Sequence, residues 1–152
     1  MNDTAGVIAP PPLIYLGGLL VGFALEALLP GGSLPDAVRW IGGGLALVAG
    51  LALQTFFITA FSRVGTAVEP WKPTTAIVTT GPYRLTRNPM YVGMASLYVG
   101  LAFAFGLIWA FALLPVVLIV IDRLVIAREE PYLERLFGEE YLAYKRRVRR
   151  WI

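Results

Sequence analysis

The chain has 152 residues, 57% of them hydrophobic and 15% charged, with a formal net charge of +3 and a mean hydropathy of +0.68. Soluble domains carry about 25% charged residues. This composition therefore reads as one integral membrane domain, too short to add a soluble catalytic unit. Cysteine and histidine are both missing, which excludes disulfides, thiolate metal sites, a cysteine nucleophile and the usual general base.

The opening stretch, MNDTAGVIAPPP, lacks the basic region of a cleaved signal peptide, so the first apolar segment is expected to be retained. Four segments are long and apolar enough to cross a bilayer, which takes roughly 20 residues. They run from about Leu13 to Leu29, Val38 to Phe61, Pro89 to Phe105 and Leu107 to Ala127. Glu26, close to Pro30, is expected at the outer interface. Gly18 and Gly22, then Gly42, Ala46 and Gly50, recur at a spacing that lets helix backbones approach closely in lipid. The third and fourth spans are nearly contiguous and predict a tight hairpin at Gly106. Asp122 and Arg123 fall in the last turns of the fourth span, where ionisable groups either pair across the bundle or serve function.

Beyond the spans, Phe137-Gly138 reads as a helix end and restart, with Glu139 and Glu140 suited to a first turn. In EEYLAYKRRVRRWI, Tyr141, Tyr144, Val148 and Trp151 share one face at helical spacing and the opposite face is basic. This pattern predicts an amphipathic helix lying on an anionic inner leaflet, as an anchor rather than a lid. The expected fold is all-α: a polytopic membrane protein of about four transmembrane helices with a C-terminal amphipathic interfacial helix. Basic residues cluster in the 62–88 loop and after the fourth span, whereas Arg39 alone lies near the first loop. The positive-inside rule then sends both termini and the 62–88 loop to the cytoplasm.

The polar stretch GPYRLTRNPMYVG, Gly81 to Gly93, opens the third span. Pro89 suits the first helical position and Asn88 is a favoured N-cap, expected to accept from the N–H of Met90 or Tyr91. A helix N-terminus flanked by Arg84 and Arg87 is a ready anion site, although a simply capped membrane helix has the same sequence. The hairpin returns Glu129 and Glu130 of AREEPY to the same side, with Pro131 expected to kink the chain. Two carboxylates and two arginines at one interfacial spot suit a ligand carrying both a cation and a carboxylate. A solvated helix end is the alternative for the glutamate pair.

GPYRLTRNPMYVG, followed about 35 residues later by EEPYLERLFGEEYLAYKRRV, resembles the isoprenylcysteine carboxyl methyltransferase and phospholipid methyltransferase superfamily of membrane enzymes. The likeness extends upstream through GTAVEPWKPTTAIVTTGPYR, so residues 65–152 form the motif-bearing part of a single 1–152 domain. By this resemblance Arg87, Asn88, Pro89, Tyr91 and Gly93 match an Arg-His-Pro-x-Tyr-x-Gly element, with Asn88 in the histidine position. Glu129 and Glu130 match its glutamate pair, and Tyr141 and Tyr144 its tail.

The resemblance implies S-adenosylmethionine bound at the cytoplasmic interface by Arg87, Asn88, Tyr91, Gly93, Glu129, Glu130 and Tyr141. Arg87, Glu129 and Glu130 are the residues it implicates in catalysis. The implied partners are the membrane and a lipidic acceptor (carboxylate, thiol or amine), with neither nucleic acid nor metal. The implied location is a bacterial inner membrane. A non-enzymatic membrane subunit or carrier, and an NADPH-dependent membrane reductase, remain as alternatives at this stage.

Overall fold

The computed structural model describes residues 4–67 and 72–152. The first three residues, and Val68 to Trp71 within the motif-bearing stretch, lie outside the described residues. Helix α1 spans Pro11–Leu28. A π turn, Val38–Gly42, leads into α2, Gly43–Val64, which ends on Gly65 in the left-handed conformation. After a 3-10 turn at Gly81–Arg84, α3 runs over Pro89–Phe105. Next come α4 (Ile108–Ile121), a π turn (Asp122–Ile126), α5 (Ala127–Phe137) and α6 (Glu139–Arg147). All of these elements are helical; three stretches, of 18, 27 and 30 residues, are long and apolar enough to cross a bilayer, and α3, at 17 residues, is a shorter apolar helix.

Lipid, rather than water, is the solvent that this surface suits. Leu20, Phe23, Leu45, Val48 and Ile119 all lie more than half exposed on the outside of the bundle. Inside, small residues set the spacing. A Cβ on Gly50 would stand 2.9 Å from the Gly93 carbonyl oxygen, and one on Gly22 would stand 3.0 Å from the Ala110 backbone. The α2–α3 and α1–α4 pairs are thus held by backbone approach, as the glycine spacing predicts. Gly18 and Gly42 join the same packing against Tyr98 and Phe103.

The hairpin forms where expected, with Gly106 left-handed at φ 67°. Its outer end is stapled by the two charges of that region. Glu26 accepts from the backbone N–H groups of Gly31 (2.7 Å) and Ile108 (3.0 Å), capping α4, while Arg39 Nη2 donates to the Ala104 carbonyl (2.8 Å) at the end of α3. Each charge thereby satisfies helix-end groups left open by the backbone pattern.

Two expectations change. The helix continues through Pro131, and the departure from regularity lies upstream in the π turn Asp122–Ile126. One extra residue turns the following helix by about 100°, so Ala127 and Arg128 are exposed while Glu130 is buried. The C-terminal helix also stops at Arg147, with Val148 extended at φ −122° and ψ 135°. Its apolar face does not lie on the membrane: Tyr141 and Tyr144 are buried against Phe57, Val78 and Tyr83 of the protein itself. Gly138, at φ 54° and ψ −130°, makes the turn that folds α6 back, in backbone territory open essentially to glycine alone.

Gly50→Ala should lower stability by about 1–3 kcal/mol, since its methyl meets Leu97 and a backbone oxygen that cannot yield. Gly44→Ala, with nothing within 4 Å of the added carbon, is the control and should melt no lower than the parent. Equal melting of the two variants in detergent would contradict the close α2–α3 packing.

Candidate functional site

The start of α3, the last turns of α2, the first turns of α5, α6 and the 74–83 segment meet at one end of the bundle around a cavity of about 120 Å³. Its lining combines apolar groups (Phe57, Phe61, Met90, Leu133) with Tyr83, Tyr91, Tyr132, Tyr141 and Tyr144, and with Arg87, Asn88, Glu129 and Glu130. The juxtaposition expected from sequence is present in part: Arg87, Asn88 and Tyr91 line the cavity with the glutamate pair, whereas Arg84, the second arginine expected there, is exposed and outside the lining. Tyr141 lines the cavity too. Gly93 points elsewhere, packed against Leu53 and Gln54 of α2.

The two glutamates differ in their surroundings. Glu130 is 4% exposed and sits in a network of opposite charges. Arg87 Nη2 reaches its Oε1 at 2.7 Å, and Arg150 grips both oxygens, Nε to Oε1 at 3.0 Å and Nη2 to Oε2 at 2.6 Å. Lys145 stands 3.5 Å from Oε2 and bonds Glu134, while Arg150 also meets Asp122 at 3.3 Å. Three carboxylates (Asp122, Glu130, Glu134) thus balance three cations (Arg87, Lys145, Arg150). Asp122 also accepts from Trp151 Nε1 at 3.0 Å, which resolves its place in the bundle as a paired group. Glu129 lies outside this balance. Its Oε1 accepts from the Tyr91 hydroxyl at 2.7 Å, and no cation pairs with it among the described residues.

Arg87 is committed as well. Its Nη1 donates to the carbonyls of Lys145 (3.0 Å) and Val148 (2.9 Å), and its backbone N–H to that of Arg149 (2.8 Å). These are carbonyls that a helix end leaves open, and a cation there is favourable. They also draw the chain out of helix after Arg147. Nε of Arg87 alone is buried with no partner. Asn88 does not cap α3: its side chain makes no bond to the helix N-terminus. Instead Nδ2 donates to the Arg150 carbonyl at 2.9 Å, which the Thr86 hydroxyl also reaches at 2.9 Å. The donors of Thr86, Arg87 and Asn88 just before α3 are thus taken by the protein's own C-terminal carbonyls.

Phe57 and Tyr132 of the lining were not singled out in the sequence reading, and further side chains steady the surrounding backbone. Tyr15 of α1 donates to the Tyr91 carbonyl at 2.9 Å, Gln54 to that of Met90 at 2.8 Å, and Tyr144 to that of Tyr83 at 2.7 Å. Burial pushes the Tyr83 and Tyr141 hydroxyls well above the usual phenol range and that of Tyr144 up to about 12, so all three stay protonated at neutral pH. A cavity with one unbalanced carboxylate and several neutral aromatic rings suits a cation. Glutamate, arginine and tyrosine side chains can take an amine, a carboxylate and a sulfonium respectively. The unpartnered Arg87 Nε is the donor left for the second of these.

Comparison with known proteins agrees with this architecture. Residues 38–140 match the model of the phospholipid methyltransferase family. The chain belongs to that family. As a phospholipid methyltransferase family member it is also 29% identical over 120 residues to a methanethiol S-methyltransferase of Pseudomonas deceptionensis, covering 78% of this chain and 44% of that protein. It is 57% identical over 35 residues to an uncharacterized protein of Haemophilus influenzae, covering 23% of this chain and 56% of that one. The chain spans about half the length of the curated relatives it matches. No solved structure matches it.

Asn88→Asp distinguishes the observed role from capping. As an N-cap, aspartate would be nearly silent and alanine the worse change. Against the Arg150 carbonyl the order reverses: aspartate removes the donor and opposes an oxygen, costing about 1–3 kcal/mol, more than alanine does. Melting curves of the two variants decide between the roles, and an aspartate variant as stable as the parent would overturn the observed one.

Proposed function

We propose that this protein transfers a methyl group from S-adenosylmethionine to a lipidic acceptor at the cytoplasmic interface of a bacterial inner membrane. The observation that carries the reading is Glu129, a carboxylate without a cation partner among the described residues, set with tyrosine rings in a cavity of a phospholipid methyltransferase family member. S-adenosylmethionine would supply an electrophilic methyl group on a sulfonium.

The chain's own residues would divide the remaining work. Glu129 takes a cationic group of the ligand or a proton shed by an amine or thiol acceptor, and Tyr91 fixes the orientation of its carboxylate. Tyrosine faces offer cation–π attraction to a sulfonium. Arg87, through Nε, is the donor suited to a carboxylate. Phe57, Phe61, Met90 and Leu133 exclude water from the reacting atoms, so positioning and dryness account for most of the expected catalysis. Small-molecule sites occupy about 300–1,000 Å³, so the walls of this cavity must part when the ligand enters.

The basic excess at this end of the bundle supports a cytoplasmic site. A lipidic acceptor fits a cavity lying between the ends of spanning helices, and the methanethiol S-methyltransferase relative keeps a thiol beside carboxylate and amine among the acceptors. The reductase alternative is disfavoured because Arg87 is the one cation in the described lining, where the several phosphate charges of a dinucleotide phosphate call for more.

S-adenosylmethionine and its demethylated product should each raise the melting temperature in detergent, by about 2.7 kcal/mol of stability at about 100 times the dissociation constant, and NADPH should not. Glu129→Gln is expected to weaken binding about tenfold or more, roughly 1.4 kcal/mol, with little loss of stability. Glu130→Gln should instead destabilise the protein itself by about 3–5 kcal/mol, because it strands two arginines. No shift with either ligand on folded protein would refute the cofactor assignment, and full affinity in Glu129→Gln would refute the role of that residue.

A further inference from the structure

We infer that Arg150 is a positioning residue of this site, acting through Glu130, so that the C-terminal turn belongs to the site; the inference rests on the methyltransferase reading above. Arg150 lies beyond residue 140, where the family match ends, and its neighbours in KRRVRR look alike in sequence. In the fold it is singled out. It makes a two-pronged contact with buried Glu130, Nε to one oxygen and Nη2 to the other, at 3.0 and 2.6 Å. A fork of this kind sets the plane of a carboxylate as well as balancing its charge.

The contact has support on both sides. The Arg150 carbonyl is held by the Thr86 hydroxyl and Asn88 Nδ2, each at 2.9 Å. Arg87 approaches the Glu130 carboxylate at Oε1, the oxygen that Arg150 Nε also meets. Lys145 approaches the other oxygen as a point charge at 3.5 Å, so the Arg150 fork is the contact that fixes the plane in which Glu130 meets Arg87. Glu130 follows Glu129 directly on α5, and both line the cavity with Arg87. Loss of the fork leaves Glu130 free to rotate and to draw Arg87 away from the ligand. By contrast, Arg146 and Arg147 are exposed or paired only along α6.

The test uses the full chain in detergent and titrates S-adenosylhomocysteine, the demethylated product, by calorimetry, with melting of the ligand-free protein measured in parallel. Arg150→Gln should weaken binding about tenfold or more. In a Glu130→Gln background the same change should add no more than about twofold, since its effect runs through Glu130. Arg150→Lys, which retains charge and loses the fork, should fall between parent and Arg150→Gln, at about threefold or more. Trp151→Phe removes the bond to Asp122 and loosens the tail without touching Glu130, and should bind within about twofold of the parent.

Parental affinity in Arg150→Gln or Arg150→Lys overturns the inference, as does a penalty that multiplies fully with Glu130→Gln. So does a Trp151→Phe loss equal to that of Arg150→Gln, which would make tail docking the cause. If Arg150→Gln does not fold, the lysine variant decides alone. A parent that binds no S-adenosylhomocysteine sinks the cofactor reading and this inference together, whereas a binding parent with silent Arg150 variants sinks this inference only.

Discussion

A carboxylate at 4% exposure at the end of an apolar bundle is tolerable only with cations around it, because an isolated buried charge costs far more than a fold of this size can absorb. Glu130 meets that condition with Arg87, which precedes α3, and Arg150, from the end of the chain. The demand explains much of the local architecture. It brings the C-terminal segment back under α3, and it commits Arg87 to the tail carbonyls. With the Lys145 carbonyl of α6 and the Val148 carbonyl just past it engaged by Arg87, the helix ends and the chain becomes extended.

The same arrangement separates two adjacent glutamates by function. Glu130 is neutralised and structural in its immediate contacts, whereas Glu129, one residue earlier, meets a phenol in the cavity. Adjacent helical positions differ by about 100° in direction, so one faces the ion network and the other the open space. The π turn at Asp122–Ile126 sets which residues take these two directions. A pair of carboxylates in sequence thus becomes one group holding the site together and one group available to a ligand.

The spans, the Gly106 hairpin, the Pro89 start of α3 and the Phe137-Gly138 break were legible because each depends on local chemistry. Apolar length, a left-handed glycine and a proline at the first helical position act wherever they occur. The gathering of Arg87, Tyr91, Glu129 and Glu130 was legible too, since a hairpin returns its two ends to one side. What those groups bond to was not. Asn88 has the sequence context of an N-cap, yet its side chain turns to donate through Nδ2 to a tail carbonyl and its oxygen caps no helix N–H. Tyr141 and Tyr144 have the spacing of a membrane-facing stripe, but the aromatic surface of Phe57 and Tyr83 buries them within the protein.

By itself, then, the sequence determined the apolar solvent that this protein's surface suits, where its apolar helices lie and that Arg87, Tyr91, Glu129 and Glu130 would meet at one end. Those properties follow from summed hydrophobicity and backbone stereochemistry, which need no knowledge of distant partners. Only the tertiary structure decided that Arg150, among five basic residues in the six from Lys145 to Arg150, grips Glu130, and that Glu129 remains without a cation. Charged side chains in such a run are locally equivalent. Their difference arises when docking of the tail, fixed by Thr86, Arg87 and Asn88, brings the Arg150 guanidinium within 3 Å of a buried carboxylate and leaves Arg146, Arg147 and Arg149 exposed.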